Sequence, residues 1–81
     1  MSATQVTMYS TQWCGYCQRL KAQLDRAGVA FTEIDIERDE SAARFVASVN
    51  GGNETVPTVL LPGGATLTNP PVAAVLAALA G

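Results

Sequence analysis

The sequence predicts an α/β fold, a four-stranded mixed sheet flanked by three helices in the order βαβαββα, and three observations carry that expectation. A strand-like run at residues 6–9 leads straight into the only two cysteines of the chain, spaced as Cys14-Gly15-Tyr16-Cys17. A helical stripe of apolar residues follows, and then a run that alternates polar and apolar side chains. Further on, Pro62-Gly63-Gly64 separates two short β-prone runs and reads as the turn of a hairpin.

Each element has its own signal. Val6-Thr7-Met8-Tyr9 reads as a short buried strand, and Ser10-Thr11-Gln12-Trp13 as the loop that carries the chain to the first cysteine. From Cys17, the residues Leu20, Leu24 and Ala27 recur at helical spacing and form one stripe. Gly28 supplies the stop, and Arg19, Lys21, Gln23 and Asp25 fall largely on the wet side. Residues 30–36 read as the second strand, with Thr32, Ile34 and Ile36 on one face and Glu33 and Asp35 on the other. A crossover helix of this length predicts parallel neighbours joined with a right-handed connection. Asp39 or Ser41 caps a second helix whose apolar face is Ala42, Phe45, Val46 and Val49, and Asn50-Gly51-Gly52-Asn53 ends it. Thr58-Val59-Leu60-Leu61 and Ala65-Thr66-Leu67 form the antiparallel hairpin. Asn69 then reads as an N-cap and Pro70 as the first helical position, with Val72, Val75, Leu76 and Leu79 as the core stripe of a last helix.

At 81 residues the chain reads as one domain over 1–81, a size that buries roughly 60% of its unfolded surface. Apolar residues make up 48% and charged ones 15%, a balance that suits a globule and argues against disorder. A net charge of -2 without any basic run gives no footprint for nucleic acid or for an anionic membrane surface. Met1-Ser2-Ala3-Thr4-Gln5 has neither the positive nor the apolar region of a secretory signal, so a cytoplasmic location is expected. The apolar tail at residues 72–80 is far short of the ~20 residues a membrane helix needs.

Chemistry enters with the cysteines. Two thiols at this spacing can exchange a disulfide, because the second sulfur sits one helical turn from the first. Cys14, at the start of a helix, faces unpaired backbone N–H groups that favour a negative sulfur and is the expected nucleophile, with Lys21 as a helper at most. Cys17, on the buried stripe, should hold its proton better. Without any histidine, a Cys-His hydrolase lacks its base and a closed zinc site lacks ligands, so no metal site is assigned. The competing readings are two small buried hydrophobes, or a cluster shared between two subunits.

Cys-x-x-Cys beside a βαβ pattern resembles the thioredoxin fold. In that fold the proline corresponding to Pro57 is cis and faces the cysteine loop, which would leave the N–H and C=O of Val56 free to pair with an extended substrate. Trp13 and Tyr16 flank the nucleophile, Tyr16 as a substrate-facing wall and Trp13 as a wall or as packing.

With Cys14-Gly15-Tyr16-Cys17, Thr55-Val56-Pro57 and Thr68-Asn69-Pro70, the chain resembles the glutaredoxins over essentially its whole length. Trp13-Cys14-Gly15-Tyr16-Cys17, Ser48-Val49-Asn50-Gly51-Gly52-Asn53 and Thr55-Val56-Pro57-Thr58-Val59 resemble the mycoredoxins among them. The resemblance implies a thiol-disulfide oxidoreductase that removes mycothiol from mixed disulfides. Cys14 and Cys17 would be its catalytic pair, and Trp13, Tyr16, Thr55, Val56, Pro57, Thr68 and Asn69 its substrate-binding residues. It implies mycothiol as co-substrate, NADPH drawn indirectly through mycothione reductase, mycothiolated proteins as partners, no resident cofactor and a monomer.

Thr11, Glu54 and Thr68-Asn69 depart from the cations and glycines with which glutathione-using members hold their ligand, which suits a thiol without those carboxylates. Two other functions stay open beside this one. One is a dithiol redoxin that serves ribonucleotide reductase or protein disulfides and is recharged by thioredoxin reductase. The other is an iron-sulfur cluster carrier or binding module without turnover.

Overall fold

The computed structural model describes residues 6–80, so the reading of residues 1–5 lies outside the described residues. The elements come in the expected order: β1 (Thr7–Ser10), α1 (Gly15–Arg26), β2 (Thr32–Asp35), α2 (Glu40–Val49), β3 (Thr58–Leu60), β4 (Thr66–Thr68) and α3 (Val72–Ala80). The strands form one mixed sheet in the order β2-β1-β3-β4. β1 pairs parallel with β2, Thr7 opposite Thr32, and antiparallel with β3, Met8 opposite Val59. β3 and β4 close the antiparallel hairpin, with Val59 opposite Leu67.

The two-residue period of the strands sends alternate side chains into two cores. Val6, Met8 and Val59 point to the face covered by α1 and α3, where they meet Leu20, Leu24 and Val75. Tyr9 and Leu60, their neighbours along the chain, point to the other face and meet Ala42, Val46 and Phe45 of α2. Tyr9 and Phe45 lie with ring centroids 5.3 Å apart in a tilted pair. Val56 packs against both clusters, at the edge where the two cores meet.

Three expected core positions turn outward. Ala27 is exposed because α1 ends at Arg26, and the chain reverses through Gly28 at φ +75° so that Val29, not Ala27, closes that end of the core. Val49 and Leu76 are 38% and 39% exposed, since α2 and α3 each cover the sheet with a narrower stripe than the sequence suggested.

Strand limits shift by a residue or so, and β2 is shorter than residues 30–36. The ladders still run past them: Thr32 N–H donates to Val6 O at 2.8 Å and Leu61 N–H to Ala65 O at 2.8 Å. Asp39 is the cap of α2, its carboxylate taking the Ala42 N–H at 3.0 Å. Asn69 is not the cap of α3. It lies at φ +46°, outside the extended region a cap uses, and the helix begins two residues later on the carbonyl of Pro71, which receives Ala74 N–H at 3.0 Å.

Candidate functional site

Cys14 occupies the N-cap of α1, a place usually taken by Ser, Thr, Asp or Asn. Its Sγ does what their oxygens do and accepts the Cys17 N–H at 3.1 Å. Cys14 C=O receives the Gln18 N–H at 3.1 Å, the first bond of the helix ladder. A donor of the helix terminus therefore already points at the sulfur, where negative charge gathers when a disulfide bond breaks.

Cys14, the expected nucleophile, is only 5% exposed. Its burial follows from the cap geometry, which folds the side chain back over the helix start and under the loop before β3. There the thiol lies 3.9 Å from the carbonyl oxygen of Val56. Cys17 is fully buried within the α1 core cluster. Burial, together with its hydrogen bond to Cys14, pushes its thiol up from an ordinary 9.0 to about 12. Both cysteines are free thiols, and they are unlike each other.

Thr55, Val56 and Pro57 form the loop opposite, with the Val56-Pro57 bond cis. The carbonyls before and after that of Val56 are engaged: Thr55 C=O accepts from Thr58 Oγ1 at 2.8 Å, and Pro57 C=O from Asn69 N–H at 2.7 Å. Val56 is left between them with its carbonyl toward Cys14.

Trp13 and Tyr16 stand out from the surface at 72% and 62% exposure, so Trp13 is not core packing. They lean opposite ways. Trp13 Nε1 donates to Glu37 Oε2 at 3.0 Å, toward β2. Tyr16 lies 5.9 Å below the Arg19 guanidinium and lines an open groove of about 400 Å³ with Arg19, Gln23, Asn69, Pro71 and Val72. This groove brings together two predicted residues far apart in sequence, Tyr16 and Asn69. It also holds a cation, Arg19, that the picture of a cation-free site left out. The apolar spacing of α1 had marked Arg19 as wet, which it is, without showing that the turn into α3 faces it.

Thr11 is 3% exposed, its Oγ1 is buried without a hydrogen-bond partner, and it lines a cleft with Lys21 and Glu33. One further expectation changes. Lys21 does not serve the thiols, because Glu33 binds its Nζ at 3.1 Å while also accepting from Ser10 Oγ at 2.8 Å. That pair spans β2 and α1, and only the parallel register of β1 and β2 brings it together. Thr68 is exposed at the end of β4 and donates its hydroxyl to Asn50 Oδ1 at 2.6 Å. Among the described residues no three His, Cys, Asp or Glu side chains converge on a point where a metal ion would sit.

The sequence model of the Glutaredoxin family matches residues 6–64. A Mycobacterium tuberculosis protein provisionally named a glutaredoxin is 56% identical over 70 residues, which span 86% of this chain and 83% of that protein. Mycoredoxin 1 of Corynebacterium glutamicum is 46% identical over 74 residues, 91% of each chain. Among solved structures, a glutaredoxin from Archaeoglobus fulgidus superposes with a TM-score of 0.79 at 25% identity, covering 96% of this chain and 88% of its own.

Proposed function

The chain belongs to the glutaredoxin family of thiol-disulfide oxidoreductases, and from that premise we propose that it removes mycothiol from protein mixed disulfides with Cys14 alone as the working sulfur. The observation that carries the one-cysteine route is the inequality of the pair. Cys14 Sγ sits on a helix N-terminal donor and faces the Val56 carbonyl, whereas Cys17 is fully buried and its thiol is pushed up to about 12. A thiol that keeps its proton at neutral pH is a poor resolving nucleophile, which disfavours the dithiol alternative.

The steps balance as follows. The Cys14 thiolate attacks the mycothiol sulfur of the mixed disulfide, forms a Cys14-mycothiol disulfide, and the substrate protein leaves as its thiolate. A second mycothiol thiolate then attacks the mycothiol sulfur of that disulfide, restoring the Cys14 thiolate and releasing mycothione. Mycothione reductase returns mycothione to two mycothiols at the expense of NADPH. The Cys17 N–H at 3.1 Å from Cys14 Sγ meets the charge on that sulfur when it leaves in the second step.

The choice of mycothiol is supported by the 46% identity to Mycoredoxin 1 and by the groove beside Tyr16. Arg19, Gln23 and Asn69 offer donors and acceptors there, and a sugar-inositol head with many hydroxyls suits them. Trp13, Thr55, Val56, Pro57 and Thr68 complete the substrate surface in this reading, and the protein works as a cytoplasmic monomer without a resident cofactor. Among the described residues no helix is long and apolar enough to cross a membrane. Turnover of one model mixed disulfide with mycothiol and with glutathione tests the proposal. Faster turnover with mycothiol is expected, and equal rates would remove the specificity.

A further inference from the structure

Asn50 ends α2 in sequence terms as a breaker before Gly51-Gly52, yet its side chain is the most connected polar group near the site. One N–H of Nδ2 donates to Val46 O at 2.8 Å and closes the helix, while Nδ2 also donates to Thr58 Oγ1 at 3.2 Å. Oδ1 accepts from Thr68 Oγ1 at 2.6 Å. The hydroxyl of Thr58, a residue with no exposed surface, passes the chain on to Thr55 C=O at 2.8 Å. The bonds therefore run in one direction, from Thr68 to Asn50 to Thr58 to the Thr55 carbonyl, with each donor and acceptor matched.

One end of this chain is a hold on Val56, and the other end lies next to the second hold. Thr55 C=O is the hold before Val56. The hold after it is the Asn69 N–H on Pro57 C=O, and Asn69 follows directly on Thr68. We propose that Asn50 is a positioning residue that fixes the Thr55–Pro57 loop and the end of β4 as one unit, so that Val56 presents its backbone N–H and C=O to an extended substrate backbone over Cys14. Asn50 touches neither cysteine, and it acts on how well the substrate is held rather than on the sulfur. The inference rests on the thiol-disulfide reaction and not on which low-molecular-weight thiol takes part.

The test uses a single turnover without a recycling thiol. Reduced full-length protein is mixed with a peptide whose cysteine carries N-acetylcysteine in a mixed disulfide, and thiol release is followed against peptide concentration. Iodoacetamide, too small to need Val56, reports the reactivity of Cys14 in the same variants. Asn50→Asp keeps the shape but removes both Nδ2 donors, and Thr58→Val removes the hydroxyl without changing volume. Each is expected to raise half-saturation about fivefold, the worth of one neutral hydrogen bond, with the limiting rate and the iodoacetamide rate unchanged.

Thr58→Ser is expected to restore the wild-type value, and Thr58→Val carries the test should Asn50→Asp fail to fold. Unchanged half-saturation in the folded variants overturns the proposal, as does an iodoacetamide rate that changes in step with half-saturation, which would mean general loosening. A wild-type protein inert to the peptide disulfide fails differently, because it removes the reaction itself and this inference with it.

Discussion

Cys14 Sγ faces the carbonyl oxygen of Val56 at 3.9 Å, although the two residues lie 42 positions apart in sequence. The contact joins the start of α1 to the loop that opens β3, and it places the nucleophile beside the one peptide unit of that loop whose neighbours are both held. Only 5% of Cys14 is exposed, and in the proposed reaction a substrate disulfide reaching it runs past Val56.

The unequal environments of the cysteines make their variants differ. Cys14→Ser is expected to abolish demycothiolation in an assay coupled to mycothiol, mycothione reductase and NADPH, while Cys17→Ser keeps it within about threefold. An inactive Cys17→Ser protein of normal fold would end the one-cysteine route and restore the dithiol reading.

Cys17 also makes a prediction about stability. Its thiol titrates near 12 when folded and near 9.0 in its ordinary state. Below pH 9 both states are protonated and the stabilisation is fully present. Between 9 and 12 the unfolded chain has lost a proton that the folded one still holds, so stability falls as pH rises. Tyr9 adds to the fall above pH 10, because burial first and Asp39 second raise its phenol from 10.0. Denaturant midpoints of the reduced protein from pH 8 to 11 should decline, and Cys17→Ala should decline less steeply. Parallel curves for the two proteins would contradict the burial of that thiol.

The order of elements was legible because it rests on local chemistry: the alternation at Val6, Met8, Tyr9 and Val59, the stops at Gly28 and Gly51, and the turn at Pro62-Gly63-Gly64. The cysteine pair was legible from spacing alone. Legibility ended where the answer depends on what packs against what. Leu76 fits a helical stripe, but Val75 is the residue of α3 that the core buries fully, and Leu76 stays 39% exposed. Asn69-Pro70 has the composition of a helix start, yet the Asn69 N–H is drawn to Pro57 and the backbone turns left-handed to reach it. Asn50 read as punctuation because its partners, Thr58 and Thr68, come together only when β3 and β4 pair beside the end of α2. Lys21 read as solvated because Glu33 is on another element.

The opposite leanings of the two exposed aromatics separate their roles. Tyr16 forms the wall of the groove shared with Asn69, whereas Trp13 is tied to Glu37 on the far side. In the proposed reaction, Tyr16→Ala is expected to raise the KM for mycothiol about threefold to tenfold, the loss of an aromatic face. Trp13→Ala should leave that KM nearly unchanged and alter, if anything, the KM for the protein substrate. Equal effects of the two substitutions on the mycothiol KM would show that the groove beside Tyr16 is not where the thiol lies.

Leu24 and Leu76 are the same residue on two helices and test how the core is divided. Leu24 has no exposed surface and sits in the cluster of Met8, Leu20, Val59 and Val75, so Leu24→Ala leaves a cavity with little freedom to collapse. Such truncations cost about 2–5 kcal/mol, a large share of the stability of so small a domain. Leu76 is 39% exposed, and alanine there keeps full helix propensity, so Leu76→Ala should cost about 1 kcal/mol or less. Urea unfolding of both variants, read at equal m-value, measures the difference. The sequence pattern alone, which puts both leucines on buried stripes, predicts similar losses. A difference of about 2 kcal/mol or more is the outcome the geometry requires, and similar losses would mean that α3 docks more deeply on the sheet than its exposed side chains show.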